Sequence, residues 1–263
     1  VSIAKLFIAG VLPGILLAVF FILTILVWAR FNPDLCIPAP KASLQERIAS
    51  LSGLIETFLL FALVMGGLFI GFFTPTEAAG IGAFGTIVIA AIGRHLSWHG
   101  FTRSLQETTR ISCMVLVIVA GATVFGHFLA VTTIPAQIGQ WVSGLPLPSF
   151  AIIGLVMLVY FLLGCLMDSL AMIMLTIPVF YPVVTTLGYD PVWFGVVIVL
   201  VAEMGVITPP VGINVYVVAG VARDVPLQTI FRGSLNMMAA LLLTAILLIL
   251  FPQIALFLPG FMK

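Results

Sequence analysis

Gly205-Val-Ile-Thr208-Pro209-Pro210-Val211-Gly212-Ile-Asn214 stands in the middle of apolar sequence, inside the charge-free run 204–222. Two consecutive prolines remove two backbone donors and free carbonyls in the preceding turn, while the flanking glycines permit an unwound chain. A helix running from about Trp193 to Ala222 is therefore expected to break here, with residues 207–212 unwound and 213–222 forming a second half-helix. Non-helical backbone at membrane depth is tolerated only inside protein or beside a watery cavity, and transporters use such breaks to coordinate cations with carbonyls. A plain proline kink with packed glycines is the alternative. Thr208 and Asn214 favour a site, because they add a hydroxyl and an amide to the break.

The rest of the sequence places this break in a membrane. Of 263 residues 62% are apolar and 7% charged, against roughly half and a quarter in soluble domains. A water-soluble globule is excluded, and so is intrinsic disorder, which needs low hydrophobicity and high charge. The net charge of +1 gives no basis for nucleic-acid binding. Charge-free stretches run 6–29, 57–76, 78–93, 111–167, 169–189, 191–202, 204–222 and 233–262, and about 20 apolar residues suffice for one crossing. They are too long and too evenly apolar for barrel strands, so helices span the bilayer in six or seven membrane elements. Cys36, Cys113 and Cys165 form neither a disulfide framework nor a metal motif and read as small buried hydrophobes.

Basic residues fall in three loops: Arg30, Lys41 and Arg47; Arg94, Arg103 and Arg110; Arg223 and Arg232. The positive-inside rule puts all three in the cytoplasm. Ser43-Leu-Gln-Glu46 opens an amphipathic surface helix in the first loop, and 94–110 is a second surface segment. The charge-free loop around 132–148 is then outside, as is Gly188-Tyr-Asp-Pro191. Residues 149–187 must enter and leave by the same face, either as a re-entrant hairpin with its tip at Gly164-Cys-Leu-Met167-Asp168-Ser169 or as two full spans.

Asp168 is a carboxylate in an otherwise apolar stretch, which is costly in a membrane and points to function; the alternative is an interfacial acid capping the helix that starts at Ser169. Glu203 is the other intramembrane acid, reading equally as a cation or proton ligand and as a partner for a buried backbone group. Thr74-Pro75-Thr76-Glu77 reads as a capping box at a helix start, and His127 as a packing histidine. No Walker loop, metal-binding histidine pair or nucleophile elbow is present, so nothing indicates an enzyme.

Leu6-Phe-Ile-Ala-Gly10-Val-Leu12 and Ile230-Phe-Arg-Gly-Ser-Leu235 are weakly self-similar in elements expected to point in opposite directions, a hint of inverted repeats. Taken in order, Lys5 to Gly14, Gly71 to Ala79, Leu163 to Asp168, Ile177-Pro178, Gly188 to Asp190 and Ile207 to Gly212 resemble the large membrane subunit of TRAP (tripartite ATP-independent periplasmic) transporters. The resemblance implies an all-α polytopic fold of the elevator type, with inverted repeats, a re-entrant hairpin and a broken transmembrane helix. It divides the chain into residues 1–30, closing a first repeat; 31–56, a cytoplasmic loop with the amphipathic helix; and 57–263, a second repeat with the hairpin at 149–187 and the broken helix at 191–222. It implies sodium-coupled import of organic acids, dicarboxylates or sugar acids, across the bacterial inner membrane. A sodium ion would sit between tip and break, on the carbonyls of Gly164, Met167, Gly205 and Val211 with the Thr208 hydroxyl. Asp168, Ser169, Pro209, Pro210 and Asn214 become substrate or coupling candidates. The expected partners are a small membrane subunit, a periplasmic substrate-binding protein, the lipid bilayer and a missing N-terminal half carrying the first hairpin. The alternatives are a non-transporting fragment serving membrane assembly and a carboxylate carrier of similar architecture that needs no binding protein.

Overall fold

The computed structural model describes residues 2–32, 43–144 and 146–261, and among these residues helices and turns occur without strands. In chain order the helices are α1 (Ile3–Ala9), α2 (Val11–Phe31), α3 (Leu44–Ile70), α4 (Pro75–Ile92), α5 (Trp98–Thr132), α6 (Ile134–Ser143), α7 (Ser149–Gly164), α8 (Ser169–Thr186), α9 (Pro191–Val206), α10 (Ile213–Val221), α11 (Leu227–Leu250) and the short α12 (Gln253–Leu256). Six stretches are long and apolar enough to cross a bilayer: Ile3–Phe31, Gly53–Ile70, Pro75–Ile92, Trp98–Thr132, Ser169–Thr186 and Leu227–Leu250; α7 and α9 are shorter apolar helices. The chain is an all-α, multi-pass membrane protein.

It divides into two compact units, residues 5–31 with 115–263, and residues 2–4 with 32–114. In the smaller unit α3 packs on α4. Both helices start as their sequences dictate. The Ser43 amide donates to Glu46 Oε2 at 2.7 Å while the Glu46 amide donates to Ser43 Oγ at 3.2 Å. Thr74 and Glu77 repeat this box, at 2.8 and 3.3 Å. Gly71 ends α3 at φ +79°, a conformation that favours glycine. The surface helix expected after Ser43 is not separate. It continues into the span as one helix of 27 residues, about 40 Å long, because no proline interrupts it. Residues 94–110 likewise run mostly into α5, where Arg103 Nε and Glu107 Oε1 pair at 3.1 Å. Residues 33–42, with Cys36 and Lys41, lie outside the described residues. Cys113 and His127 are exposed on α5 rather than buried; the outward face of a membrane helix needs only apolar neighbours, so burial was the wrong inference for them.

In the larger unit α7 and α8 form a helix–turn–helix, α9 packs against both, and α11 joins α9 to α2. Helix α2 packs on α11 and α12. The core gathers Ile153, Tyr160, Met172, Trp193, Phe194 and Leu248, all at most 1% exposed. Trp193 Nε1 donates to the Leu248 carbonyl at 2.7 Å, and its ring stacks on Tyr189 at 4.8 Å. The hydroxyls of Tyr160 and Thr176 lie 2.9 Å apart and Thr176 donates to the Met172 carbonyl at 2.7 Å; one proton per hydroxyl leaves Tyr160 as donor to Thr176. The loop expected at 132–148 holds α6, whose Ile138 and Val142 share one face and pack with Val183 and Leu187.

Replacing Trp193 by Phe keeps an aromatic ring and strands the Leu248 carbonyl, which should lower unfolding stability by about 1–2 kcal/mol. Val199→Ala, at a side chain 49% exposed, should leave it nearly unchanged. Thermal unfolding in lipid nanodiscs measures both.

Candidate functional site

The helix break and the hairpin tip meet. Helical structure stops at Val206 and resumes at Ile213, and the Pro209–Pro210 peptide between them is cis. Gly212 starts α10 at φ +61°. The tip spans residues 165–168, between the end of α7 and the start of α8. The two elements touch through glycines. A Cβ at Gly205 would lie 2.6 Å from the Gly164 Cα and carbonyl carbon and 2.8 Å from the Phe161 oxygen; one at Gly164 would lie 3.0 Å from the Ala202 oxygen. Backbone on both sides leaves no room for any other residue type. One hydrogen bond fastens the contact: the Val211 amide donates to the Cys165 carbonyl at 3.3 Å.

This geometry shapes the donor set. The Thr208 amide bonds the Gly205 carbonyl at 2.9 Å rather than Met204. Met204 is served instead by the Thr208 hydroxyl, at 2.6 Å. Met238 Sδ lies 3.3 Å from the same hydroxyl, whose single proton is already committed, so its lone pairs remain open to a cation. Among the described residues no backbone amide donates to the carbonyls of Gly164, Met167 or Val211. Those oxygens carry partial charge without a fixed protein charge, the chemistry that suits an alkali cation. No group of His, Cys, Asp and Glu able to hold a metal ion occurs among the described residues.

The remaining candidates divide. Asp168 caps α8, its Oδ2 accepting from the amides of Leu170 and Ala171 at 3.0 and 3.2 Å; capping, one of its two readings, is what the carboxylate does here. Ser169 follows as the first residue of α8, and its hydroxyl donates to Glu203 Oε1 at 3.3 Å. Glu203 therefore bonds a side chain rather than a buried backbone group, and it is exposed. Pro209, Pro210 and Asn214 are exposed at the break. Cys165 was missed as a backbone participant because its carbonyl role depends on the fold and not on the side chain.

The protein-family model described as the tripartite ATP-independent periplasmic transporter, DctM component, matches residues 1–254. The chain belongs to this DctM family. It is 35% identical over 99% of its length to a C4-dicarboxylate TRAP transporter large permease protein of Pseudomonas aeruginosa, covering 61% of that protein. It is 34% identical over 98% to a sialic acid TRAP transporter large permease protein of Vibrio cholerae, covering 60%, and 32% identical over 98% to an ectoine/5-hydroxyectoine TRAP transporter large permease protein of Ruegeria pomeroyi, also covering 60%. The chain thus spans about three fifths of the length of these curated relatives.

Gly205→Ala should destabilise the protein by about 1–3 kcal/mol, since the methyl meets backbone that cannot rotate away. Gly154→Ala, where nothing lies within 4 Å of an added Cβ, should be near neutral. Comparing the two melting temperatures in nanodiscs checks the tip contact.

Proposed function

We propose that this DctM-family chain belongs to the permease subunit of a sodium-coupled secondary transporter that imports small organic acids. The observation that carries the reading is the seating of the hairpin tip on the helix break, with the carbonyls of Gly164, Met167 and Val211 free of amide donors among the described residues. Its proposed sodium ion binds there, on those oxygens, Gly205 O and Thr208 Oγ1. A helix of 16 residues such as α7 or α9 is about 24 Å long, short of a core of roughly 30 Å. The tip then lies inside the membrane as a re-entrant turn, and α10 carries the broken helix onward to the cytoplasmic side.

The relatives' names support the substrate class. They include C4-dicarboxylate, sialic acid and isethionate permeases beside the ectoine/5-hydroxyectoine one. A periplasmic binding protein is the proposed donor of substrate, and a small membrane subunit the proposed partner. The chain covers only 41% of the isethionate permease protein DctMQ, against 61% of the Pseudomonas DctM; the longer relative is consistent with fusion of a second membrane component. The share of each relative that this chain does not match is proposed to hold the first repeat, with the other half of the substrate cavity. Movement of tip, break and substrate together across the bacterial inner membrane is the elevator step this reading entails.

The test uses the complete large permease with its small subunit and binding protein in proteoliposomes, offered succinate, sialic acid and isethionate under an imposed sodium gradient. Uptake of at least one is expected, abolished when sodium is replaced by potassium. Thr208→Val keeps shape and removes one oxygen, so the half-saturating sodium concentration should rise about tenfold, a single charge-assisted contact, with normal insertion. Uptake indifferent to sodium would overturn the coupling, and an unchanged sodium curve for the valine variant would remove the hydroxyl from the site.

A further inference from the structure

Glu203 has no part in the donor set just described, yet its placement calls for one. Asp168 caps α8 and Asp190 caps α9, whereas Glu203 stands inside α9, one turn before the break. A carboxylate there is costly in hydrocarbon unless it is partnered. It lines an apolar cleft of about 410 Å³ whose other walls come from Leu6, Phe7, Gly10 and Pro13 on one side and Val199 and Leu248 on the other. Those neighbours offer it no charge. Its hydrogen bond instead reaches 34 residues back, to the Ser169 hydroxyl. That hydroxyl is free for the purpose because Asp168, not Ser169, caps α8.

The contact lies on the same junction as the glycine seat. Ala202 and Gly205 receive the last residue of α7, while Glu203, between them, takes the first residue of α8. The Val211 bond to Cys165 closes the loop from the break side. The tip is thus held at its entering helix, its turn and its leaving helix. We infer that Glu203 is a positioning residue, holding the start of α8 against α9 through Ser169 so that the tip stays seated on the break. The role is that of a hydrogen-bond acceptor, so it does not require a negative charge. Its bearing on sodium rests on the proposed sodium site; its bearing on the tip does not.

The experiment keeps these apart, using the complete large permease with its small subunit in nanodiscs. Hydrogen exchange of the tip, residues 163–172, is read in sodium-free buffer, and sodium chloride is then titrated while melting temperature is followed. Glu203→Ala and Ser169→Ala should each speed tip exchange about three- to tenfold, as loss of one hydrogen bond does, and the double variant should go no further. Glu203→Gln keeps an acceptor oxygen and should restore most of the protection. In the titration both alanine variants should raise the sodium midpoint by a similar factor while reaching the wild-type melting temperature at saturation. Unchanged tip exchange in Glu203→Ala, additive effects, or a Gln variant as poor as Ala would overturn the inference. A wild-type protein with no sodium-dependent shift would overturn the sodium reading alone, and the exchange result would still decide the role of Glu203.

Discussion

Everything near the site depends on backbone meeting backbone at Gly164 and Gly205. Without side chains at either position α7 and α9 approach until the Gly164 carbonyl carbon lies 2.6 Å from where a Cβ on Gly205 would be. Association of helices within lipid has no hydrophobic drive between them, and close packing of small residues supplies the attraction instead. That approach sets the tip beside the break. Pro209 and Pro210 keep the chain from closing over it as helix, and the Val211 amide, which has no helical acceptor, bonds the tip at Cys165. A second glycine of α9, nearer its start, is also closely packed: a Cβ at Gly195 would be 2.8 Å from the Leu6 Cδ1.

The proposed function requires such a junction to respond to a cation. The carbonyls of Gly164, Met167 and Val211 have no amide donors among the described residues, which costs free energy in a low-dielectric setting. At the proposed site an ion coordinated by these oxygens would recover that cost and tie tip to break. In the proposed transporter this is how sodium favours a tip seated for movement, and why its loss frees the tip. Thr208 serves both conditions, since its proton answers the Met204 carbonyl whether or not an ion engages its lone pairs.

What could be read from sequence was local. The break follows from Pro209-Pro210 between Gly205 and Gly212, and the starts of α3 and α4 from Ser43 with Glu46 and Thr74 with Glu77, because each signal lies within one helical turn. Contacts between distant residues left no mark: Ser169 with Glu203 at a separation of 34 and Trp193 with Leu248 at 55 are set by packing. Helix α6 escaped because the lack of charge at 132–148 was read as a loop, although Ile134, Ile138 and Val142 recur at four-residue spacing. The two surface helices merged into α3 and α5 because composition marks where water begins, not where a helix ends. That Asp168 caps α8 shows only in the amides of Leu170 and Ala171.

The central claim is that tip and break lie together within the hydrocarbon. Leu166, 60% exposed on the tip, Asn214, exposed at the end of the break, and Gly188 in the loop before α9 can each be replaced by a single cysteine carrying a fluorophore. The complete permease is then reconstituted in lipids brominated at different acyl carbons. Labels at 166 and 214 should share one depth profile, quenched most by bromines well down the chain, with the label at 188 quenched most near the headgroups. A label at 166 quenched like that at 188, while 214 stays deep, would mean that α7 and α8 are two complete crossings and that tip and break do not meet in the membrane.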